Sequence, residues 1–351
     1  HLDSLMSTGA TPPSSIDRVG PRLMCRTRTG RTSTEARRYG RLQSQGAPVV
    51  PQGGGTRACV RRPSGEEQRC SFAGPMREVW AEANRALFVQ VGDQCVRPTD
   101  YARGPWSLDF LHGGPVAALL AHAVESLVPG DSDWFTSRLT VELDKPVPVE
   151  PLDYVCEVTR AGRKVMTVEA TVTNADSGVV LAKARAVCLR ATEVTLPVDD
   201  PVLGPLLAVE SAPSMPSDGR SITREPAPPV AFHTAAIEQR FVGDTGQPGP
   251  IFDWIRAEVP LLPDCEMTPL ERVAAAADQA SGISAVLPPS THSFINPDLT
   301  IHLFRPLTGE WVGMASATHH HTEGTAMTDT AIFDLGGRVG NSNQSLIITA
   351  R

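Results

Sequence analysis

The stretch from Thr268 to Leu287 (T-P-L-E-R-V-A-A-A-A-D-Q-A-S-G-I-S-A-V-L) puts one carboxylate, Asp278, into a run of small apolar residues. Thr268 can cap a helix, Pro269 suits its first position, and Glu271 three residues on completes a capping box. Val273, Ala274 to Ala277 and Ala280 leave little polar face, so one buried helix is expected across the stretch. A carboxylate buried there costs on the order of several kcal/mol unless it has partners or a chemical role. Burial should raise its pKa and suit it to act as a general base. The blander alternative is a structural carboxylate bonded to backbone amides.

A second buried helix is expected to open at His112 (H-G-G-P-V-A-A-L-L-A-H-A-V-E-S-L-V), with Pro129-Gly130 closing it. The amides of Gly113 and Gly114 lie at its positive end and could stabilise an oxyanion. The absence of a Cβ would open that backbone to a substrate, or else would let helix and sheet approach closely. His112 reads as a first-turn residue that orients the loop.

Other chemistries find less support. No G-x-S-x-G nucleophile elbow occurs. Gly53-Gly54-Gly55-Thr56 lacks the Gly-Lys-Ser/Thr ending of a phosphate loop. Strand alternation would send His320 of the His319-His320-His321 tract to the opposite face from its neighbours, so no metal is expected. The seven cysteines are scattered without a C-x-x-C pair and read as reduced, mostly core thiols of a cytoplasmic protein.

The 351 residues carry a formal net charge of −7, unevenly spread. Residues 1–75 hold twelve arginines against five acids and lack apolar periodicity. They read as a disordered basic extension with Met76 near the working start; a transit peptide is the sharper alternative. An acidic body gives no support to nucleic-acid binding. No apolar run reaches the ~18 residues of a membrane helix, so no membrane partner is expected.

Beyond this extension, strands are expected over Ala86 to Val96, Trp134 to Leu143, Tyr154 to Arg160, Lys164 to Asn174 and Val179 to Ala191. The Tyr101–Phe110 stretch reads as a loop. Residues 193–231 carry eight prolines and read as a linker. The order then repeats, with strands from Ala235 to Pro260, the Thr268 helix, and strands around Leu299, Trp311, Ala326 and Leu346. Val116-Ala117-Ala118 matches Val273-Ala274-Ala275 at an offset of 157, and Leu139–Pro146 matches Leu299–Pro306 at 160. The expected domains are therefore 76–192 and 232–351. The fold class is α+β: two units, each an antiparallel sheet wrapped around a buried helix.

The motifs Phe110-Leu111-His112-Gly113-Gly114-Pro115, Ala277-Asp278, Phe294-Ile295-Asn296-Pro297-Asp298-Leu299-Thr300 and Gly337-Arg338-Val339-Gly340 leading to Gln344 resemble the double-hotdog acyl-CoA thioesterases of the thioesterase II type. The resemblance implies two tandem hotdog units, a role in fatty acid metabolism, and a homo-oligomer, a dimer of double hotdogs. It also implies a water held by Asp278 and Gln344, with Asn296 where the family has Thr. No cofactor is expected, since coenzyme A is part of the substrate. In the aligned helices Ala121 falls opposite Asp278 and Pro269 opposite His112. One half has the Gly-Gly start and the other the acid, which predicts one composite site per chain. There Asp278, Asn296 and Gln344 would place the water, and His112, Gly113 and Gly114 would receive the substrate oxygen. The alternatives are an enoyl-thioester hydratase, which needs His112 or His302 beside Asp278, and a non-catalytic acyl-thioester-binding protein. Arg138, Arg185 and Arg305 are candidates for the CoA phosphates.

Overall fold

The computed structural model describes residues 85–129, 133–221, 229–244 and 247–351. The expected basic extension, its triple glycine and Met76 lie outside the described residues. In the first half, short period-two runs give β1 (Phe88–Gly92), β2 (Cys95–Pro98), β3 (Trp134–Glu142), β4 (Leu152–Ala161), β5 (Val165–Asn174) and β6 (Val180–Arg190). The helix α1 (Gly113–Glu125) precedes β3, with ten of its thirteen residues buried, as its nearly unbroken apolar sequence requires.

The second half holds β7 (Ile237–Val242), β8 (Ile251–Ala257), the helices α3 (Pro269–Ala277) and α4 (Ala280–Ile283), β9 (His292–Ile295), β10 (Asp298–Leu303), β11 (Val312–His320), β12 (Thr325–Asp334) and β13 (Gly337–Ala350). The expected linker carries the one-turn helix α2 (Gly204–Leu207). It also docks on the second half, where the Arg338 amide donates to the Glu210 carbonyl and the side chains pair at 2.8 Å.

Two expectations need correcting. The helix from Thr268 does not run through to Leu287; it stops at Ala277, with Asp278 as its C-cap, and resumes as the single turn α4. At the break the amides of Gln279 and Gly282 bond three residues back, to Ala276 and Gln279, a tightened turn rather than an α-helical one. The strand expected from Ala235 starts only at Ile237, because Phe232–Ala236 form a π-helical turn that Thr234 closes through bonds to Pro229 and Ala231. The described thiols are all free but mostly not core: Cys188 is buried, Cys95 and Cys156 are half-buried, and Cys265 is exposed.

All thirteen strands of the described residues join one antiparallel sheet in the order β1-β2-β4-β5-β6-β3-β10-β13-β12-β11-β8-β7, with β9 on β13. The halves meet at β3 and β10. There Thr140 pairs with Thr300, Leu139 with Ile301 and Val141 with Leu299. Thr140 thus faces its own repeat counterpart, while Leu139 and Val141 each face the other's counterpart. A pseudo-twofold axis therefore passes between Thr140 and Thr300, whose hydroxyls lie 3.4 Å apart. Inside, α1 packs on β3 to β6, and α3 on β8, β10 and β11.

The two long helices lie side by side and antiparallel, which creates two seams. At one, the start of α1 meets the end of α3. At the other, the start of α3 meets the end of α1, and Ala121 stands where the first seam has Asp278. That second seam is closed by polar groups of its own. The Thr268–Glu271 capping box forms as expected. His122 Nδ1 then lies 2.9 Å from Glu271 Oε1, and the Thr268 hydroxyl donates to Glu125. Burial pushes the Glu125 carboxyl up to about 7, aided by the Glu271 charge and opposed by the Thr268 hydrogen bond. The hydrogen bond to Glu271 raises the His122 pKa against the effect of burial.

Both shifts act in one direction. Between the ordinary carboxylate range and pH 7 the folded chain holds a Glu125 proton that the unfolded chain has lost, so stability falls as pH rises through that window. The His122 contribution is complete below its unfolded value near 6.5 and is lost as pH rises through its higher folded value. Urea unfolding is expected to show stability falling between pH 5 and 8, by on the order of 2 kcal/mol from Glu125. Glu125→Gln should flatten most of that slope.

Candidate active site

The first seam brings together residues separated by more than 160 positions. Asp278 is at the C-cap of α3, His112 is the N-cap of α1, Asn296 follows β9, and Gln344 lies in β13. His112 Nδ1 is 2.8 Å from Asp278 Oδ2. Asn296 Nδ2 donates to Oδ1 at 2.7 Å, and Gln344 Nε2 approaches the same oxygen at 3.4 Å. Gln344 is fixed by its other end, since Oε1 accepts from the Ser281 amide at 3.2 Å. All four predicted side chains therefore converge, and Asp278 is buried.

The imidazole has neighbours on both sides. The Gly114 amide lies 3.1 Å from Nδ1, in the position of a donor to it, and Gln279 Nε2 lies 3.2 Å from Nε2. A bare Nδ1 would set its lone pair against the Asp278 carboxylate at 2.8 Å, which is repulsive. The arrangement that satisfies every atom is Nδ1–H donating to Asp278, Nε2 accepting from Gln279, and the Gly114 amide donating to the carboxylate. His112 is thus a partner of the acid and not only a loop residue. Gln279 was missed in the sequence, although a second polar side chain in an alanine-rich helix was a legible signal. Phe232, whose ring lies 5.1 Å from that of His112, gave no such signal.

The expected rise in the Asp278 pKa is overturned. Burial, the largest single effect, does push it up. His112, by its hydrogen bond and, when protonated, its charge, acts with the donors Asn296 and the Gly114 amide to outweigh burial and hold the carboxyl below its ordinary range.

The glycines also act differently from the expectation. A Cβ on Gly113 would lie 2.7 Å from both Asp278 oxygens, and one on Gly114 would lie 2.5 Å from the Ala275 carbonyl oxygen and 3.0 Å from the Phe232 ring. The missing side chains make room for the other helix, not for a ligand. The Gly114 amide is committed to the acid, whereas the Gly113 amide has no partner among the described residues. Only one of the two expected oxyanion donors is free.

His302 is exposed on β10 opposite Arg138 and plays no part in this cluster. Arg305 is withdrawn as a phosphate ligand, because it is forked onto the buried Asp334, with Nη2 donating at 2.7 Å. Arg185 is exposed and only loosely paired with Glu169 at 3.6 Å.

A helix wrapped by antiparallel sheet, present twice and joined edge to edge, defines a tandem hotdog protein. Residues 102–196 match the model of the acyl-CoA thioesterase N-terminal domain, and residues 209–348 that of the acyl-CoA thioesterase C-terminal domain. The chain belongs to this acyl-CoA thioesterase family. Solved structures similar to it include a hot dog fold protein of unknown function from Alicyclobacillus acidocaldarius, at 16% identity, TM-score 0.57, covering 78% of this chain and 98% of that one. Another is the acyl-CoA thioesterase II TesB2 of Mycobacterium marinum, at 17% identity, TM-score 0.52, covering 75% and 96%. The tesB protein of Mycobacterium avium subsp. paratuberculosis is similar at 14% identity and TM-score 0.52, covering 79% and 100%. No curated protein matches the chain in sequence. No helix among the described residues is long and apolar enough to cross a membrane.

Gly114→Ala should force a methyl against the Ala275 carbonyl and destabilise the fold by about 1–3 kcal/mol, measurable by chemical denaturation. Gly113→Ala meets only the end of a side chain. It should cost less stability while displacing the Asp278 carboxylate.

Proposed function

We propose that the chain hydrolyses acyl-CoA thioesters to free acid and CoA. The observation that carries this reading is the placement of an ionised, buried carboxylate from one half against the amide tip of the helix from the other. Of the groups on Asp278 Oδ1, Gln344 at 3.4 Å makes the longest bond. A water taking that place accepts from the Gln344 and Asn296 amides and donates to Asp278. Its oxygen attacks the thioester carbonyl while Asp278 takes its proton, and the developing oxyanion faces the free amide of Gly113 at the positive end of α1. Collapse of the tetrahedral intermediate breaks the C–S bond. The leaving thiol, with a pKa of about 8.5, departs without a strong acid.

A second reading has one specific observation in its favour. An enoyl-thioester hydratase needs an acid–imidazole pair, and His112 stands 2.8 Å from Asp278. Assays of acyl-CoAs of graded length, read as free thiol, separate the two. Thiol release lowered roughly 100-fold or more by Asp278→Asn supports hydrolysis. Loss of the conjugated enoyl absorbance without thiol supports hydration, and tight binding without either supports a silent acyl-thioester-binding protein.

The lowered Asp278 pKa has a signed consequence. Its base form persists, and its stabilising contribution with it, until pH falls through a folded value below the ordinary 3.8. The acid limb of kcat/KM should therefore lie below about pH 4. A limb centred near pH 6 would contradict this assignment.

A further inference from the structure

The two halves differ sharply on the inner face of their sheets. In the second half, Thr318, Thr328 and Gln344 lie in register across β11, β12 and β13, as do Ser316, Thr330 and Ser342 one step along. The strand pairings of the first half place Val158, Val168 and Ala186, and Cys156, Ala170 and Ala184, at the corresponding points. Six polar side chains thus occupy positions where the repeat uses only apolar side chains and a thiol. Nothing in the shared architecture requires the polar set.

These six are buried, and burying a hydroxyl costs roughly 1–3 kcal/mol unless it is bonded. Part of that cost is offset internally. Thr318 and Thr328 lie 2.8 Å apart, Thr330 donates to Ser316 at 3.0 Å, and Ser284 lies 2.6 Å from Thr318. Among the described residues the Ser342 hydroxyl, only 1% exposed, has no partner, and neither does Oδ1 of the fully buried Asp253, which shares this face beside Met314. The alanines of α3 above the sheet offer no hydrogen bond. Two inward polar atoms are therefore left to something the described residues do not supply.

The face also adjoins the chemistry. Thr328 pairs with Gln344, whose amide reaches Asp278. The one-turn helix α4, isolated by the break at Asp278 and containing the exposed Gly282, is its cover, tied down through Ser281 to Gln344 and Ser284 to Thr318. We propose that the inner face of the second half's sheet, beneath α4, is the acyl subsite and takes an uncharged acyl group bearing a hydroxyl. This rests on the thioester hydrolysis proposed above. None of the six side chains is cationic, so a carboxylate-bearing acyl group would find no counter-charge there. Burial also pushes Asp253 up to about 7, which leaves it able to donate as a neutral acid below that pH. A site built to bond a substrate hydroxyl leaves its own polar atoms stranded when the analogue lacks one, and so discriminates against that analogue.

The test compares 3-hydroxybutyryl-CoA with butyryl-CoA, and the corresponding pair two carbons longer. The hydroxylated member is expected to show kcat/KM on the order of ten- to a hundredfold higher. Thr330→Val and Ser342→Ala should each shrink that ratio. Equal rates, or preference for the unsubstituted chain, overturn the proposal while leaving hydrolysis intact. If neither ester releases thiol, the hydrolase reading fails instead, and calorimetric binding of the same two esters to the unmodified protein decides the subsite. Tighter binding of the hydroxylated ester by tenfold or more upholds it, and equal affinity sinks it.

Discussion

The site depends on how closely two helices approach. At Gly114 the backbone of α1 comes so near the Ala275 carbonyl of α3 that a methyl group could not intervene. That approach carries the Gly114 amide and His112 to Asp278. It also brings the positive end of one helix to bear on an acid that would otherwise be buried at great cost. The same packing, seen at the opposite ends of the same helices, yields only the His122–Glu271 and Thr268–Glu125 pairs. A single geometry thus gives one seam that gathers donors around a buried acid and another that is closed by side-chain pairs alone. What distinguishes them is the residue types placed at each.

Much of this was legible in the sequence because it follows local rules. The capping box at Thr268, the period-two strands and the offset of 160 between repeats each correspond to a feature of the fold. Thr140 and Thr300 facing each other on the pseudo-axis is the offset made visible. The placing of Asp278 beside the Gly113-Gly114 start was legible for the same reason, since the repeat showed which half carried which part.

What escaped came from partners far along the chain. The break in the helix at Asp278 is held by Gln344, which takes the Ser281 amide and leans on the Asp278 carbonyl at 3.5 Å. No window around Asp278 contains that residue. The direction of its pKa shift failed likewise, because burial is local to the helix while the opposing donors arrive from His112 and Asn296. The proline-rich stretch read as a simple tether because the docking of Glu210 on Arg338 has no periodicity to betray it.

The strand pair at the molecular centre bears on why the two units share one chain. Two copies of the first unit could meet through β3 about the same axis, and their helices would lie side by side just as well. Such a homodimer would hold two identical glycine-tipped seams, each facing an alanine. Copies of the second would hold two acids, each facing a proline. A twofold assembly of like subunits must repeat whatever it contains, so it cannot set an acid against a bare amide tip unless every subunit carries both. Fusing two diverged copies releases that obligation. Each copy is then free to lose what the other supplies.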